Sequence, residues 1–367
     1  MAIIQGFRIK NFKSLKNIQL GKTWITQTER SLTPLTVVIG KNGVGKSSLF
    51  DAFGFLSDSL RMGVEEACDA RGGFDKIISQ GQVGGIEFEI YYKEDGNSRP
   101  ITYELVIDID KMDRPYVKQE RLRQRRRGQS HGRPFSFLIL NEGKGLVWKG
   151  HAEGKLLEQE DENLEFNSLM AELLGDGPEE STNTEAVELT DLRRLGISTL
   201  ASLKQHPRIS AFRDFVEGWY LSYFSPDAAR EVNQSSPQRH LNVKGDNLSN
   251  VVQFMEREHP QRFKLILERI SKKIPGIGKI STYQDKISKS LYLMFEGKGF
   301  AKPFAQMQMS DGTLKVFAYL LLLEDPNPPP FICIEEPENG LYHMLLETLA
   351  KEFRSHATGK KVVLKYL

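Results

Sequence analysis

Nine consecutive residues, Gly40-Lys41-Asn42-Gly43-Val44-Gly45-Lys46-Ser47-Ser48, have the types and spacing of a phosphate-binding loop, G-x-x-x-x-G-K-[ST]. Gly40, Gly43 and Gly45 permit backbone angles, and a closeness to a ligand, that a Cβ would forbid. Backbone N–H groups can then surround a phosphate at the start of a helix, where the helix dipole favours negative charge. In such a loop Lys46 bridges the β- and γ-phosphates and the Ser47 hydroxyl ligates Mg²⁺. ATP and Mg²⁺ are the expected ligands.

A second group agrees with the first. Phe331-Ile332-Cys333-Ile334 runs directly into Glu335, Glu336, Pro337 and Glu338. Carboxylates at the C-terminal end of a buried strand sit where open α/β sheets place their ligands. One carboxylate can join the Mg²⁺ shell and the next can orient or deprotonate an attacking water. Two adjacent buried carboxylates repel each other unless a cation lies between them. A third element, Met309-Ser310-Asp311-Gly312-Thr313, precedes an apolar helical run, and taken alone it is an ordinary helix N-cap.

These residues need elements to hold them. Leu35 to Ile39 is short, apolar and rich in β-branched residues, the pattern of a strand buried on both faces. After the glycine loop, Leu49, Phe53, Leu56 and Leu60 share one helical face. Residues 7–20 interleave apolar and basic positions, as a half-exposed strand and its return would. From Ile86 to Trp148 the period becomes two, with turns at Asp95-Gly96-Asn97 and Glu142-Gly143, which predicts an antiparallel sheet. Residues 153–191 hold thirteen acidic residues against one basic, Lys155, and read as a solvated insertion. Phe263, Ile266, Ile270 and Ile274 mark a helix further on. A helix over Leu314 to Leu323, a strand over Phe331 to Ile334, a helix bearing Leu341, Leu345, Leu349 and Phe353, and a strand from Val362 to Leu364 complete the pattern.

GKNGVGKS, MSDGTLK and FICIEEPENGL together resemble the ABC-type ATPases of the RecF, SMC and OLD group, most of all its small stand-alone ATPases. FRIKNFKSLKNIQL, KGDNLSNVVQ and IPGIGKI are similar to other parts of that group, so the resemblance spans nearly the whole chain. It implies an α/β P-loop NTPase head of the ABC type, with a mixed or parallel core sheet, an antiparallel β subdomain and a helical insertion. Residues 1–85 and 300–367 would form the head, 86–150 the β subdomain and 151–299 the acidic and helical insertion. It also implies a homodimer closed head to tail around two ATP molecules. Gly40 to Ser48 would bind ATP, Ser310 and Gly312 would contact the γ-phosphate held by the other subunit, Ser47 and Glu335 would hold Mg²⁺, and Lys46 and Glu336 would be the catalytic pair. Glu335 stands where many relatives carry Asp. The switch histidine usual after the last core strand is not seen, and His343 lies too early to match it. Gln80 and Gln82 are both candidates for the glutamine that couples ATP to the other lobe.

A dense basic run, Arg121, Arg123, Arg125, Arg126 and Arg127, followed by His131 and Arg133, is either a loop that tracks the phosphates of duplex DNA or a hairpin neutralised by the acidic insertion. Trp24, Trp148 and Trp219 are expected in core or subdomain contacts. The chain has 367 residues, with 50 Lys and Arg against 48 Asp and Glu, which excludes a polycation or an acidic solubilising protein. Two distant cysteines, Cys68 and Cys333, make no disulfide framework. The longest apolar run, Val316 to Leu323, is too short to span a membrane. The expectation is a cytoplasmic ATPase acting in DNA maintenance or defence against foreign DNA. Its rival is a weakly hydrolysing, ATP-dependent scaffold for a separate nuclease or effector.

Overall fold

The interleaved apolar and basic residues near the N-terminus fold as an antiparallel pair, β1 (Ile3–Phe12) and β2 (Leu15–Gly21), with Phe7 opposite Leu20 and Ile9 opposite Ile18. They open a computed structural model that describes residues 2–26, 29–124, 135–150, 184–274, 276–297, 299, 301–325 and 327–359. Arg125, Arg126, Arg127, His131, Arg133, most of the acidic stretch and the strand expected at Val362 to Leu364 lie outside those residues. The chain forms two compact units, Met1–Trp219 and Tyr220–Leu367.

In the first unit the helix after the glycine loop is α1 (Lys46–Met62), followed by α2 (Val64–Asp69) and α3 (Phe74–Ile77). The period-two region gives β3 (Ile86–Lys93), β4 (Ile101–Ile109), β5 (Pro115–Gln124), β6 (Phe135–Asn141) and β7 (Lys144–Trp148). The acidic stretch ends in β8 (Thr184–Glu188), and α4 (Gly196–Leu200) and α5 (Pro207–Glu217) complete the unit. The eight strands lie in the order β2-β1-β3-β4-β5-β6-β7-β8 with every neighbour antiparallel. At the β6–β7 turn Glu142 and Gly143 both have positive φ, 47° and 75°, the two-residue geometry that matches strand twist. Helices α1 and α5 cover the sheet through aromatic contacts. Phe53 meets Phe7 at 5.1 Å between ring centroids, Phe215 stacks on Tyr92 at 4.6 Å, and Phe212 meets Tyr103 at 4.6 Å. Leu49, Phe53, Leu56 and Leu60 are all buried, as their spacing predicted.

The strand expected at Leu35 to Ile39 is not formed. The segment is irregular, and Val37 and Ile39 are 73% and 88% exposed. Local bonds dominate there: the Thr33 hydroxyl donates to the Leu35 carbonyl at 2.5 Å and the Thr36 hydroxyl to the Thr33 carbonyl at 3.0 Å, around Pro34, which has no N–H to give. No described strand pairs with it, and an apolar run becomes a buried strand only when neighbours satisfy both of its edges.

The second unit begins with β9 (Tyr220–Ser222), α6 (Pro226–Arg230) and β10 (Asn233–Gln234). Next come α7 (Leu248–Glu258), α8 (Pro260–Lys273), β11 (Ile277–Gln284), β12 (Ser290–Gly297) and β13 (Phe304–Ala305). The last elements are α9 (Asp311–Leu323), β14 (Ile332–Ile334) and α10 (His343–Ala357). Residues Leu314 to Leu322 of α9 are buried on all sides, so this helix is the axis of the unit's core. Each large apolar side chain buried this way contributes about 1.5–3 kcal/mol. Among the described residues, parallel pairing of the kind expected for a nucleotide-binding head occurs between β9 and β14, with Ile332 beside Tyr220 and Ile334 beside Ser222.

Glu120 on β5 is fully buried. It accepts hydrogen bonds from the Tyr103 hydroxyl (2.9 Å) and from the backbone N–H groups of Gly196 (2.5 Å) and Ile197 (3.2 Å), pinning the start of α4 to the sheet. Burial pushes its carboxyl up to about 7 from 4.5, against the pull of those donors. The folded unit therefore keeps a proton that the unfolded chain has released, and its stability falls as pH rises through that window, by about 3 kcal/mol. Glu120→Gln, which retains an acceptor for the two N–H groups, should flatten this slope. Urea unfolding at about pH 5 and about pH 8, followed on Trp24, Trp148 and Trp219 of this unit, measures it; an unchanged slope would refute the assignment.

Candidate functional site

Two turns carry the residues singled out by the sequence, one in each unit. In the first unit, Gly43 (φ 83°) and Gly45 (φ 102°) bend the chain through left-handed geometry into α1. The first intrahelical bond runs from the Leu49 N–H to the Gly45 carbonyl at 2.9 Å, so the N–H groups of Lys46, Ser47 and Ser48 precede the helical ladder. No acidic residue in the first turn competes with an anion. The Lys46 ammonium folds back onto the carbonyls of Gly40 (2.8 Å) and Lys41 (3.0 Å). The Ser47 side chain and residues Gly40 to Val44 are exposed. An ammonium resting on two main-chain oxygens, an open hydroxyl and unladdered N–H groups fit a polyphosphate with its Mg²⁺.

The β1–β2 turn supports this loop. Asn11 and Lys13 have positive φ, 61° and 49°, and they aim Lys13 at Asp51 (2.6 Å) and Ser14 at the Ser48 hydroxyl (2.8 Å). Buried Asn11 also donates to the carbonyls of Val83 (3.2 Å) and Gly85 (3.1 Å), fixing the loop in which Gln80 and Gln82 stand exposed.

In the second unit the ladder continues past β14, where the Glu335 N–H donates to the Ser222 carbonyl at 3.3 Å. Glu335 is half-buried and Glu336 exposed. Burial pushes the neighbouring Cys333 thiol up to about 12, so it stays protonated. Glu336 has φ 44°, left-handed geometry without glycine's freedom. The turn is closed by the Asn339 N–H on the Glu336 carbonyl (3.2 Å), with the Asn339 amide 3.5 Å from the Glu336 carboxylate. Lys315 of α9 donates to the carbonyls of Glu336 (2.7 Å) and Asn339 (3.0 Å). Ser310 caps α9, accepting from the Thr313 N–H at 3.3 Å. Buried Gly312 lies against the far end of the acidic turn, where an added Cβ would come 2.9 Å from the Gly340 carbonyl. Arg230 of α6 binds the Met309 carbonyl (2.9 Å), Asp227 (2.9 Å) and Asp311, holding the Ser310 turn from its other side.

Ser310, Gly312, Glu335 and Glu336 are thus gathered in one unit, and Gly40 to Ser48 in the other. Lys315, Arg230 and Asn339 were missed from sequence. The signal for Lys315 was there, a lone cation inside the apolar run from Leu314 to Leu323; Arg230 and Asn339 had none. His343 opens α10, its ring 4.1 Å from that of Tyr342. Arg123 is engaged within the sheet. Its side chain is 11% exposed, paired with Glu104 and 4.5 Å above the Trp24 ring. Trp148 and Trp219 are buried, as expected. No helix among the described residues is long and apolar enough to cross a membrane.

A glycine loop turning left-handed into a helix that begins Lys-Ser, and a strand that runs into paired glutamates, are the parts of a P-loop nucleotide-binding protein. Residues 35–364 match the family described as "AAA domain, putative AbiEii toxin, Type IV TA system", and the chain belongs to that family. Membership makes it a P-loop protein of the AAA ATPase class with an α/β NTPase fold. No curated protein matches the chain.

The two loop glycines separate backbone strain from crowding. At Gly43 nothing lies within 4 Å of an added Cβ, so Gly43→Ala should cost only the left-handed backbone penalty, about 1–2 kcal/mol. At Gly45 the same Cβ meets the Ser14 hydroxyl at 2.7 Å and Leu15 at 3.0 Å. Gly45→Ala should therefore lower the thermal unfolding midpoint of the first unit more than Gly43→Ala does. Equal shifts would show that Ser14 does not pack against the loop.

Proposed function

We propose that this chain is an ABC-type ATPase of the RecF, SMC and OLD kind, which closes as a head-to-tail homodimer on ATP and reopens on hydrolysis. The observation that carries the reading is the Gly45-capped start of α1, with Lys46 resting on loop carbonyls that phosphate oxygens would replace. Gly40, Lys41, Asn42, Gly43, Val44, Gly45 and Ser48 cradle the phosphates through backbone N–H groups, and Lys46 bridges the β- and γ-phosphates. Ser47 and Glu335 are the ligands offered to Mg²⁺, which when bound neutralises charge on the β- and γ-oxygens. Glu336 accepts a proton from water as the water oxygen bonds to the γ-phosphorus and the bond to the β–γ bridging oxygen breaks, releasing ADP and phosphate. Ser310 and Gly312 contact the γ-phosphate held by the partner subunit.

The toxin named in the family's description supports a setting in defence against foreign DNA over one in repair. Duplex DNA is the proposed macromolecular ligand, through Arg125, Arg126 and Arg127. Reversing those three charges should weaken duplex binding and flatten its salt dependence; unchanged binding would remove the loop from the interface.

Steady-state ATP hydrolysis with Mg²⁺, with and without duplex DNA, tests the enzyme. Glu336→Gln should lower turnover by about 100-fold or more while retaining ATP binding, and it should shift to a dimer on ATP by light scattering. Lys46→Ala should lose ATP binding. Wild-type chain that binds ATP and dimerises without turnover would favour the scaffold role. No dimer with ATP at any protein concentration would defeat the head-to-tail arrangement.

A further inference from the structure

Lys315 is the one charged residue within the buried length of α9. It is 6% exposed and flanked by Leu314 and Val316, both fully buried. A lysine in such a place is costly unless its ammonium is satisfied. Its described partners are not carboxylate oxygens. They are two main-chain carbonyls of one turn, Glu336 at 2.7 Å and Asn339 at 3.0 Å. The Glu336 carbonyl also accepts the Asn339 N–H at 3.2 Å, so both donors hold in place the peptide that follows Glu336. That residue has φ 44°, a conformation that costs a non-glycine residue about 1–2 kcal/mol and reverts unless its surroundings oppose it.

The same helix touches the turn a second time. Gly312, three residues before Lys315 and so on the same face, packs so closely on the Gly340 carbonyl that a Cβ there would lie 2.9 Å from it. The first turn and a half of α9 is therefore fastened to both ends of the segment from Glu336 to Gly340. Arg230 fastens the other side of the Ser310 cap through the Met309 carbonyl and Asp311.

We propose that Lys315 is a positioning residue for Glu336: its ammonium holds the left-handed turn that aims the Glu336 carboxylate, and it makes that turn move as one piece with the Ser310 end of α9. The catalytic part rests on the reading of Glu336 as the base. A contact made at Ser310 then reaches the water-activating carboxylate through one helical turn and two hydrogen bonds. Lys315 itself takes no part in ATP binding at Gly40 to Ser48.

Lys315→Met keeps the length and apolar stem of the side chain and removes the donor. It should leave the thermal midpoint of the protein unchanged or raised, because a buried charge is removed. Binding of a fluorescent ATP analogue should also be unchanged. The kcat should fall on the order of 100-fold, the loss expected from a misaimed catalytic group, with little change in KM. Amide hydrogen exchange should quicken over residues 336–341 and nowhere in the glycine loop. Lys315→Arg, which keeps a cationic donor, should recover part of both effects. Wild-type exchange over residues 336–341 in Lys315→Met would overturn the proposal, as would a fall in stability with kcat and KM changing together. Should wild-type chain show no turnover above Glu336→Gln, the role of Glu336 fails by itself, and the exchange of residues 336–341 still decides whether Lys315 holds the turn.

Discussion

Left-handed backbone is the constraint on which both halves of the proposed chemistry depend. A phosphate can be surrounded by N–H groups only where the chain turns them all to one side, and a carboxylate at a strand end can face forward only where the chain breaks abruptly from the strand. In the first unit glycine meets this demand at Gly43 and Gly45, where no Cβ opposes the geometry. At Glu336 the side chain is the proposed catalytic group, a role that glycine could not fill. The conformation is instead held from outside, by hydrogen bonds to its carbonyl from Lys315 and Asn339.

That division explains the packing around each turn. The glycine loop needs little support and stands exposed, tethered through Ser14 and through Lys13 on Asp51. The acidic turn sits against the most deeply buried helix of its unit. Close-packed interiors resist compression, so α9 can pass a displacement along its length with little loss. Placing an ammonium in such a core pulls the Lys315 pKa below its ordinary value through burial, while the charges of Glu338 and Glu336 pull it back. The interior accepts the charge because two carbonyl dipoles converge on it.

Much of this was legible in the sequence where the signal is local. The loop from Gly40 to Ser48, the α1 stripe of Leu49, Phe53, Leu56 and Leu60, the Glu142-Gly143 turn and the strand before Glu335 each follow from residue type at fixed spacing. Partnerships between distant segments were not legible. Nothing in Leu35 to Ile39 announces that Thr33, Pro34 and Thr36 form a local turn, because the run is apolar and β-branched enough for a central strand. Arg123 looked like its basic neighbours, yet Glu104 and Trp24, nineteen and ninety-nine positions away in the chain, claim its guanidinium. Arg230 and Asn339 carry no pattern at all, since their roles arise only where α6 and the acidic turn meet α9.

The exposed segment before the glycine loop has a colloidal consequence. From Ser31 to Gly40 the chain carries no charge, and Val37, Val38 and Ile39 present β-branched side chains to solvent with their backbone edges unladdered. Such a stretch is a template on which a second molecule can add as a strand and start an aggregate. Its borders are those that natural sequences use to keep such stretches apart. Arg30 and Lys41 bracket it with like charge, and Pro34 interrupts the donor row within it. Arg30, Pro34 and Lys41 therefore oppose such association through like charge and a missing donor, not through packing.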